Sequence, residues 1–529
     1  MRFFRKLLSP AIVLWVGVVP LAASLRLLFL YRRSLWQNEL FSIAVARLPR
    51  EEFVRLLSHT EANMALYYAL LRVWLRLGDS ETFLRIPSLI FSLLTTLIVY
   101  LLGRRLYGAR AGLVAAFLTA VNVLHVHFSL EVRSYSLLVL LAAASSLYFI
   151  EGVTRPSSRH WILYTATTTL AIYSHFFGAW MMATHWGSLA LLRRRQVPWK
   201  QLIASTTAIC LLCLPLALFV LLRGQGQFHL YWVPKIGVGP VAQFFLYAAG
   251  ASWPLLVAHF VFGSVAVLLL LRTLLTRGAG LEAWQQGFGL AWLFVPVILI
   301  AALSLRTPMF HFRFLLFCLP GLILLSAAGL SQLRPGWPLA AALLLITLLS
   351  AQSIRHYHQL GLDPGQPMTQ EQDWQGASRY LLAHAQKTDA AIFYPWTVWL
   401  PFDYYLNTIG FGRGPEVLFP KSWVDVALSP GSAAGENQPD ATVLEAIAAR
   451  YRRVWFAFVL SEPSRPELAL RRGLLSARYA CVEVRRFDGL VLELYSPGAT
   501  RSLRHSEVSR HLAARRLERG WEPMPTHGR

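Results

Sequence analysis

Apolar runs of about 20 residues recur along this chain as far as residue 354, and that recurrence constrains the fold more than any motif. A helix of that length crosses roughly 30 Å of hydrocarbon. Inside a bilayer only a structure that satisfies its own backbone hydrogen bonds is stable. About eleven runs centre near 11–30, 86–103, 111–128, 134–151, 161–176, 177–192, 202–222, 254–271, 286–305, 314–330 and 338–354. The fifth and sixth are nearly continuous and read as one broken or re-entrant pair. Composition agrees: 55% of the 529 residues are hydrophobic, 15% are charged, and the mean hydropathy is +0.46. A soluble protein of this length carries far more charge. The fold class expected is therefore an α-helical polytopic membrane protein. The opening MRFFRK and its apolar run imitate a signal peptide. The run is too long for that, and Leu21-Ala22-Ala23 is a poor cleavage site, so it reads as an uncleaved first span.

The net charge of +23 is mostly Arg. In a soluble protein it would raise nucleic acid as a partner. Here the basic residues cluster in short loops: Arg2, Arg5 and Lys6; Arg104, Arg105 and Arg110; Arg155 and Arg159; Arg193, Arg194, Arg195 and Lys200; Arg272 and Arg277. The positive-inside rule accounts for this alternation and puts the N-terminus in the cytoplasm. The stretch 31–85, the 125–135 turn, the 223–253 loop and everything past the last span then face outside. The four cysteines form no disulfide framework, and Cys210 and Cys213 read as small buried side chains within one apolar run.

Two outer loops are long. The first holds MALYYALLRVWLRLG, in which Leu66, Leu70, Val73, Trp74 and Leu77 follow a helical period, the pattern of an amphipathic helix lying on the membrane face. The second, 223–253, is rich in Gly and aromatics, and loops this long are often functional. The domains expected are a membrane domain over 1–355, an extracytoplasmic α/β domain over 365–498 and a basic tail over 499–529. In the α/β domain DWQGASRYLLAHAQ, ATVLEAIAARYRR and ELALRRGLLSARY read as helices. DAAIFYP and VWFAFVL read as strands, and CVEVRRFDGLVLELY reads as a hairpin turning at Asp-Gly.

Ionisable groups at membrane depth are costly and are candidates for function. One cluster is Trp36-Gln37-Asn38-Glu39, directly after the first span. Another is HVHFSLEVRSY, with His125, His127, Glu131, Arg133 and Tyr135 at the turn between the third and fourth spans. Two carboxylates on one side of the membrane suit acid–base chemistry. Glu39 is either a site residue or a solvated loop acid. Glu131 is either a site residue or an ion-pair partner of Arg133. His125 and His127 read as interfacial anchors in preference to metal ligands, since no third ligand is well spaced. His175 is a core or lining histidine. Arg313 binds lipid phosphate by snorkelling or a ligand phosphate, and Lys235 is a linker lysine or a phosphate contact. Together these groups suit a reaction on a lipid phosphate. No nucleotide-binding loop or zinc spacing occurs, no metal site is expected, and a divalent cation is not indicated.

SLWQNELFSIAVAR, EANMALYYALLRVWLRLGDSETFLRIPSLIF, YLLGRRLYGARAGLVAAFLTAVNVLHVHFSLEVRSYSLLVLL and YSHFFGAW resemble the bacterial branch of the GT-C glycosyltransferases. These are relatives of protein O-mannosyltransferases and lipid A aminoarabinose transferases. The resemblance covers roughly 31–330 and continues weakly through DWQGASRYLLAHAQ and PFDYYL. It implies transfer, with inversion, of a sugar from a polyprenyl-phosphate donor to a lipid, glycan or protein hydroxyl at the outer face of the bacterial cytoplasmic membrane, with no cofactor. The family's Asp-Glu pair is Asn38-Glu39 here. Asn accepts a hydrogen bond but takes no proton at neutral pH, so Glu39 or Glu131 is the expected base. Glu131-Val132-Arg133 matches a family Glu-Ala-Arg segment, with Tyr135 two residues beyond. A basic-Pro-Pro-Leu-Tyr stretch appears as Asn63-Met64-Ala65-Leu66-Tyr67, without the prolines or the basic residue. Arg313-Phe314-Leu315-Leu316 matches the family's Arg-Tyr-Leu-Leu. Substrate contacts are expected from Trp36, Asn63, Tyr67, Arg133, Tyr135, His175, Lys235 and Arg313. The competing class is a non-catalytic or degenerate lipid-linked-sugar binder, or a transporter on the same scaffold.

Overall fold

The structure, a computed structural model, describes residues 9–30, 34–223, 233–334, 336–360, 372–410, 414–420, 422–428, 447, 450–459, 465–476 and 479–497. They form two compact units. One holds residues 9–30 and 41–360, the other 34–40 and 372–497. The expected 499–529 tail lies outside the described residues.

The first unit is helical. Its N-terminal part contains α1 (Pro10–Leu27), most of α2 (Gln37–Arg47), α3 (Arg50–His59), α4 (Ala65–Trp74), α5 (Glu81–Tyr107), α6 (Ala109–Val121), α7 (Val123–Phe128) and α8 (Tyr135–Thr154). Then come α9 (Ser158–Ser174), α10 (Trp180–Ser188), α11 (Trp199–Leu212), α12 (Leu214–Arg223) and α13 (Val238–Ala248). The unit ends with α14 (Trp253–Arg277), α15 (Leu281–Ser304), α16 (Leu319–Leu330) and α17 (Gly336–Leu360). All eleven apolar runs fall on helix, but six of the described helices are long and apolar enough to cross a membrane: α1, α5, α8, α14, α15 and α17. The α11–α12 pair, bent by 52°, is a seventh if counted as one span.

The remaining runs are shorter or interrupted, so fewer than about eleven of the described helices reach full spanning length. Asn122 takes an extended conformation and caps α7 by accepting the His125 N–H at 3.0 Å, cutting the 111–128 run. His175, also extended, begins the 3-10 turn Phe176–Ala179 that separates α9 from α10. The 314–330 run starts as the 3-10 turn Leu316–Cys318 before α16. The 223–253 loop is not wholly irregular: it contains α13, while residues 224–232 lie outside the described residues.

The amphipathic helix expected from MALYYALLRVWLRLG is α4. Tyr67, Tyr68 and Leu71 are buried, while Leu70, Val73 and Leu77 are exposed apolar groups, as on a helix with one face toward lipid. Between the main helices, α8 packs on α5 and α9 and carries a buried stripe that includes Leu138, Val139, Ala142, Ala143 and Ile150. At the other end of this pair Arg105 bridges Glu151 at 3.0 Å and donates to Thr154 Oγ1 at 2.6 Å. Small residues bring backbones together elsewhere. A Cβ added at Gly329 on α16 would lie 1.9 Å from the carbonyl oxygen of Phe262 on α14.

The second unit carries a five-stranded sheet with the order β2-β1-β3-β5-β4. Its strands are β1 (Ala390–Tyr394), β2 (Glu416–Phe419), β3 (Val454–Val459), β4 (Tyr479–Phe487) and β5 (Leu490–Pro497). The sheet is mixed: β1 pairs in parallel with both β2 and β3, and β5 is antiparallel to β3 and β4. Both expected strands and the hairpin are present, and Gly489 takes φ 69° at the Asp-Gly turn, where a side chain is strained. Helices α18 (Trp374–His384), α19 (Trp399–Gly410), α20 (Trp423–Leu428) and α21 (Arg465–Ser476) flank the strands in sequence. Asp373 caps α18 by accepting the Gly376 N–H at 2.7 Å. The helix expected over 441–453 falls largely outside the described residues.

Replacing Gly329 by Ala should force α14 and α16 apart, at a cost of roughly 1–3 kcal/mol for overpacking. Gly263→Ala, where the added atom meets nothing within 4 Å, should be neutral or slightly stabilising. Melting of the purified variants in detergent checks this, and equal melting temperatures would refute the close approach.

Candidate functional site

The second unit holds the Trp36–Glu39 segment. Leu35 N–H donates to the Tyr405 hydroxyl at 3.0 Å and Ser34 Oγ donates to the Gln372 carbonyl at 3.1 Å. Residues 34–40 are thereby fastened to α19 and to the residue two before α18. Glu39 lies in the first turn of α2 and its Oε2 accepts the Trp36 N–H at 3.1 Å. This is the reach-back of a carboxylate that caps a helix start. Glu39 is 2% exposed, while Trp36 and Asn38 are part-buried.

In the first unit the break after α7 gathers the other candidates. Glu131 is buried, and its Oε1 lies 2.9 Å from His127 Nε2. His127 Nδ1 lies 2.6 Å from the Tyr357 hydroxyl, so a carboxylate, an imidazole and a phenol form one chain from the turn to α17. Ser88 Oγ on α5 donates to the Glu131 carbonyl at 2.6 Å, which fixes the turn. Glu131 Oε2 is buried with no hydrogen-bond partner. Arg133 points another way: its Nη1 donates to Ser42 Oγ at 3.1 Å, its guanidinium lies 6.0 Å from the Tyr135 ring, and it feels the charges of Glu61 and Glu131.

Asn63 is a tie between loops. Its Oδ1 accepts the Phe176 N–H at 3.0 Å, joining the stretch ahead of α4 to the end of α9. His175 Nδ1 accepts the Phe177 N–H at 3.2 Å, and its ring lies 6.1 Å from that of Tyr135. With Nδ1 accepting, the neutral ring carries its proton on Nε2, so the 3.4 Å approach of Asn63 Nδ2 is a contact between two donors and not a bond. Tyr67 is buried. Arg313 is part-buried in the turn ahead of α16, with its guanidinium 5.8 Å from the Phe312 ring. Lys235 is exposed ahead of α13. Asn63, His175, Tyr135, Arg133 and Glu131 thus form one connected region of the first unit, whereas Trp36, Asn38 and Glu39 belong to the second.

Three groups escaped the sequence reading. Arg26 on α1 is wholly buried and donates through Nε to Ser92 Oγ at 2.7 Å, through Nη1 to the Ala22 and Ala120 carbonyls at 2.8 and 3.2 Å, and through Nη2 to His125 Nδ1 at 2.8 Å. Its position inside an apolar run was the available signal. His125 is therefore a partner of Arg26 and is not joined to His127. Tyr357, at the far end of the last span, gave no local signal. Glu61 is part-buried at the end of α3 and accepts from the Tyr68 hydroxyl at 3.3 Å. Burial pushes its carboxyl up from the ordinary 4.5 to about 7, against the opposing pull of Arg133 and Tyr68. It is the one acid between Glu52 and Asp79, which marked it in the sequence. Among the described residues no group of three or more His, Cys, Asp or Glu is placed to hold a metal ion.

Replacing His127 by Leu strips both Glu131 and Tyr357 of their shared partner and should cost about 1–3 kcal/mol. The double variant His127→Leu, Glu131→Gln should recover part of that loss, because neighbours in one network are not additive. Detergent melting of the single and double variants measures the coupling, and strict additivity would show that the bond is absent.

Residues 64–220 match the family model described as dolichyl-phosphate-mannose-protein mannosyltransferase. No curated protein matches the sequence significantly. Among solved structures the chain is similar to ArnT from Cupriavidus metallidurans in the apo state, with TM-score 0.64 and 13% identity over 92% of this chain and 98% of that one. It is similar to the same protein bound to undecaprenyl phosphate, with TM-score 0.62 and 12% identity over 91% and 98%. AglB from Archaeoglobus fulgidus, in complex with an inhibitory peptide and a dolichol-phosphate, gives TM-score 0.51 and 13% identity over 83% and 69%. At such identities the likeness is one of fold. Helical architecture, C-terminal sheet and the matched 64–220 stretch agree: the chain is a multipass membrane protein that shares the fold of ArnT, and its 64–220 stretch resembles the mannosyltransferase family.

Proposed function

We propose that this protein transfers a sugar from a polyprenyl-phosphate donor to an acceptor hydroxyl, with inversion, at the outer face of the cytoplasmic membrane. One observation carries the reading. The stretch that matches the mannosyltransferase family, 64–220, is the one in which Tyr67, Glu131, Arg133, Tyr135 and His175 lie, the last four of them at helix breaks. The polyprenyl-phosphate assignment draws support from the fold shared with a protein seen bound to undecaprenyl phosphate.

In this reading the acceptor oxygen attacks the anomeric carbon in line while the bond from that carbon to the phosphate oxygen breaks. The bond electrons leave with polyprenyl phosphate, so no cofactor has to supply energy. Arg133, Arg313 and Lys235 are the cations that stabilise the leaving phosphate through charge-assisted bonds. Asn38 orients the acceptor hydroxyl by accepting its hydrogen bond, and a carboxylate takes the proton. Trp36 offers a ring face for a sugar, and Tyr67, Tyr135, Asn63 and His175 shape the substrate region. Holding both reactants in line removes much of the entropic barrier. The N-terminus is cytoplasmic and the α/β unit extracytoplasmic, where it selects the acceptor. Asn38, in place of an acid, favours a second reading, a degenerate member that binds donor without turnover.

The test is the purified protein in liposomes with radiolabelled polyprenyl-phosphate sugars and a broad acceptor mixture, following release of polyprenyl phosphate. Wild type should release it, and Arg133→Ala should do so about 100- to 1,000-fold more slowly, as for loss of one preorganised donor. Donor binding with no release by either wild type or Asn38→Asp would overturn the enzyme in favour of the binder.

A further inference from the structure

Three carboxylates were available to take the acceptor's proton, and their surroundings differ. Glu39 is 2% exposed and its Oε2 is engaged by the Trp36 N–H that it caps. Glu131 is 6% exposed and its Oε1 is held by His127. Glu61 differs from both. It is part-exposed, and its backbone N–H is fixed at the end of α3 by the Leu56 carbonyl at 3.1 Å. Its carboxylate has a neutral hydroxyl, Tyr68, as its hydrogen-bond donor, and that bond is long at 3.3 Å. Lone pairs on both oxygens therefore remain open. Two residues on, Asn63 ties this loop to the His175 turn, so the acid is presented on a braced backbone.

We propose that Glu61 is the proton acceptor for the incoming hydroxyl, with Tyr68 as its positioning residue. The proposal rests on the glycosyl-transfer reading. The acceptor O–H proton passes to the Glu61 carboxylate as the oxygen forms its bond to the anomeric carbon. The anomeric bond to phosphate oxygen breaks, and its electron pair leaves on the phosphate. Glu61 then returns the proton to water.

The groups that act on Glu61 are Tyr68 on α4 and Arg133 in the turn before α8; Glu131 and Tyr135 act in turn on Arg133. His59 and Arg55 lie on α3 itself, where they bond one another. Burial is the largest influence on the carboxyl and raises it to about 7, while Arg133 and then Tyr68 oppose it. A base near neutrality is the most effective at neutral pH. The group must be deprotonated to act, so turnover should fall as pH drops below about 7. Removing the Tyr68 hydroxyl removes a bond that favours the charged carboxylate, so this acid limb should move to higher pH.

The experiment measures turnover in liposomes against pH for wild type, Glu61→Gln, Glu61→Asp and Tyr68→Phe, with retention of radiolabelled donor as the check on folding. Expected are a loss of 100-fold or more in kcat for Glu61→Gln with donor binding within about twofold, as for removal of a general base. Glu61→Asp should keep partial activity, and Tyr68→Phe should keep activity with its acid limb shifted upward. Wild-type kcat and an unchanged acid limb in Glu61→Gln would overturn the proposal while leaving glycosyl transfer standing. Should Glu61→Gln fail to bind donor, an unshifted limb in Tyr68→Phe overturns it instead. Absence of turnover in wild type itself would sink the underlying reading.

Discussion

In hydrocarbon a peptide group that lacks a hydrogen bond costs several kcal/mol, and everything else in the first unit follows from that constraint. The chain meets it by running as helix, and the polar chemistry is expelled to the places where helix stops. Two of these stops are closed by side chains. Asn122 interrupts a run of apolar residues, yet its side chain accepts the His125 N–H and donates to the Ala248 carbonyl at 2.8 Å. The His175 break is closed by Asn63 from another loop. His175 stands at one of these breaks, and Glu131, Arg133 and Tyr135 at the break that follows α7, so the same physics that ends helices collects polar groups where helix stops.

Arg26 shows what a charge must find to stay inside. It spreads its donors over a hydroxyl, two carbonyls and an imidazole. Those partners come from α5, α6 and α7 as well as from its own helix, which ties α1 to the bundle at one point. Removing any one partner leaves buried polarity uncompensated, which is why such networks specify an arrangement even when they add little net stability.

The second unit follows different rules. Strands β1 and β3 are almost wholly buried, as expected of strands paired on both sides, and the sheet closes with a hairpin. Arg471 and Glu493 form a buried pair at 3.1 Å, completed by the Tyr495 hydroxyl donating to Glu493 at 2.8 Å. The inclusion of residues 34–40 in this unit is notable, because these residues follow the first span in sequence. Tyr405 and Gln372, more than 330 residues away, hold them. A segment that sequence order assigns to the membrane domain thus takes its position from the α/β domain.

Hydropathy and periodicity are local quantities, and what they report was legible: the membrane class, the helices under the apolar runs, the amphipathic pattern of α4, and the strands and Asp-Gly hairpin of the α/β unit. Where helices break was less so, because Asn122 and His175 are single residues whose capping partners lie elsewhere. The candidate residues of the 125–135 turn stood out as ionisable groups at a span end, but their pairing did not. Glu131 lies 2.9 Å from His127, whose other ring nitrogen meets Tyr357, 230 residues away, while Arg133 turns to Ser42 and His125 to Arg26. Which side chain meets which depends on which helices become neighbours. Only the packed bundle decides that, because a buried charge or donor takes whatever partner the surrounding helices bring within reach.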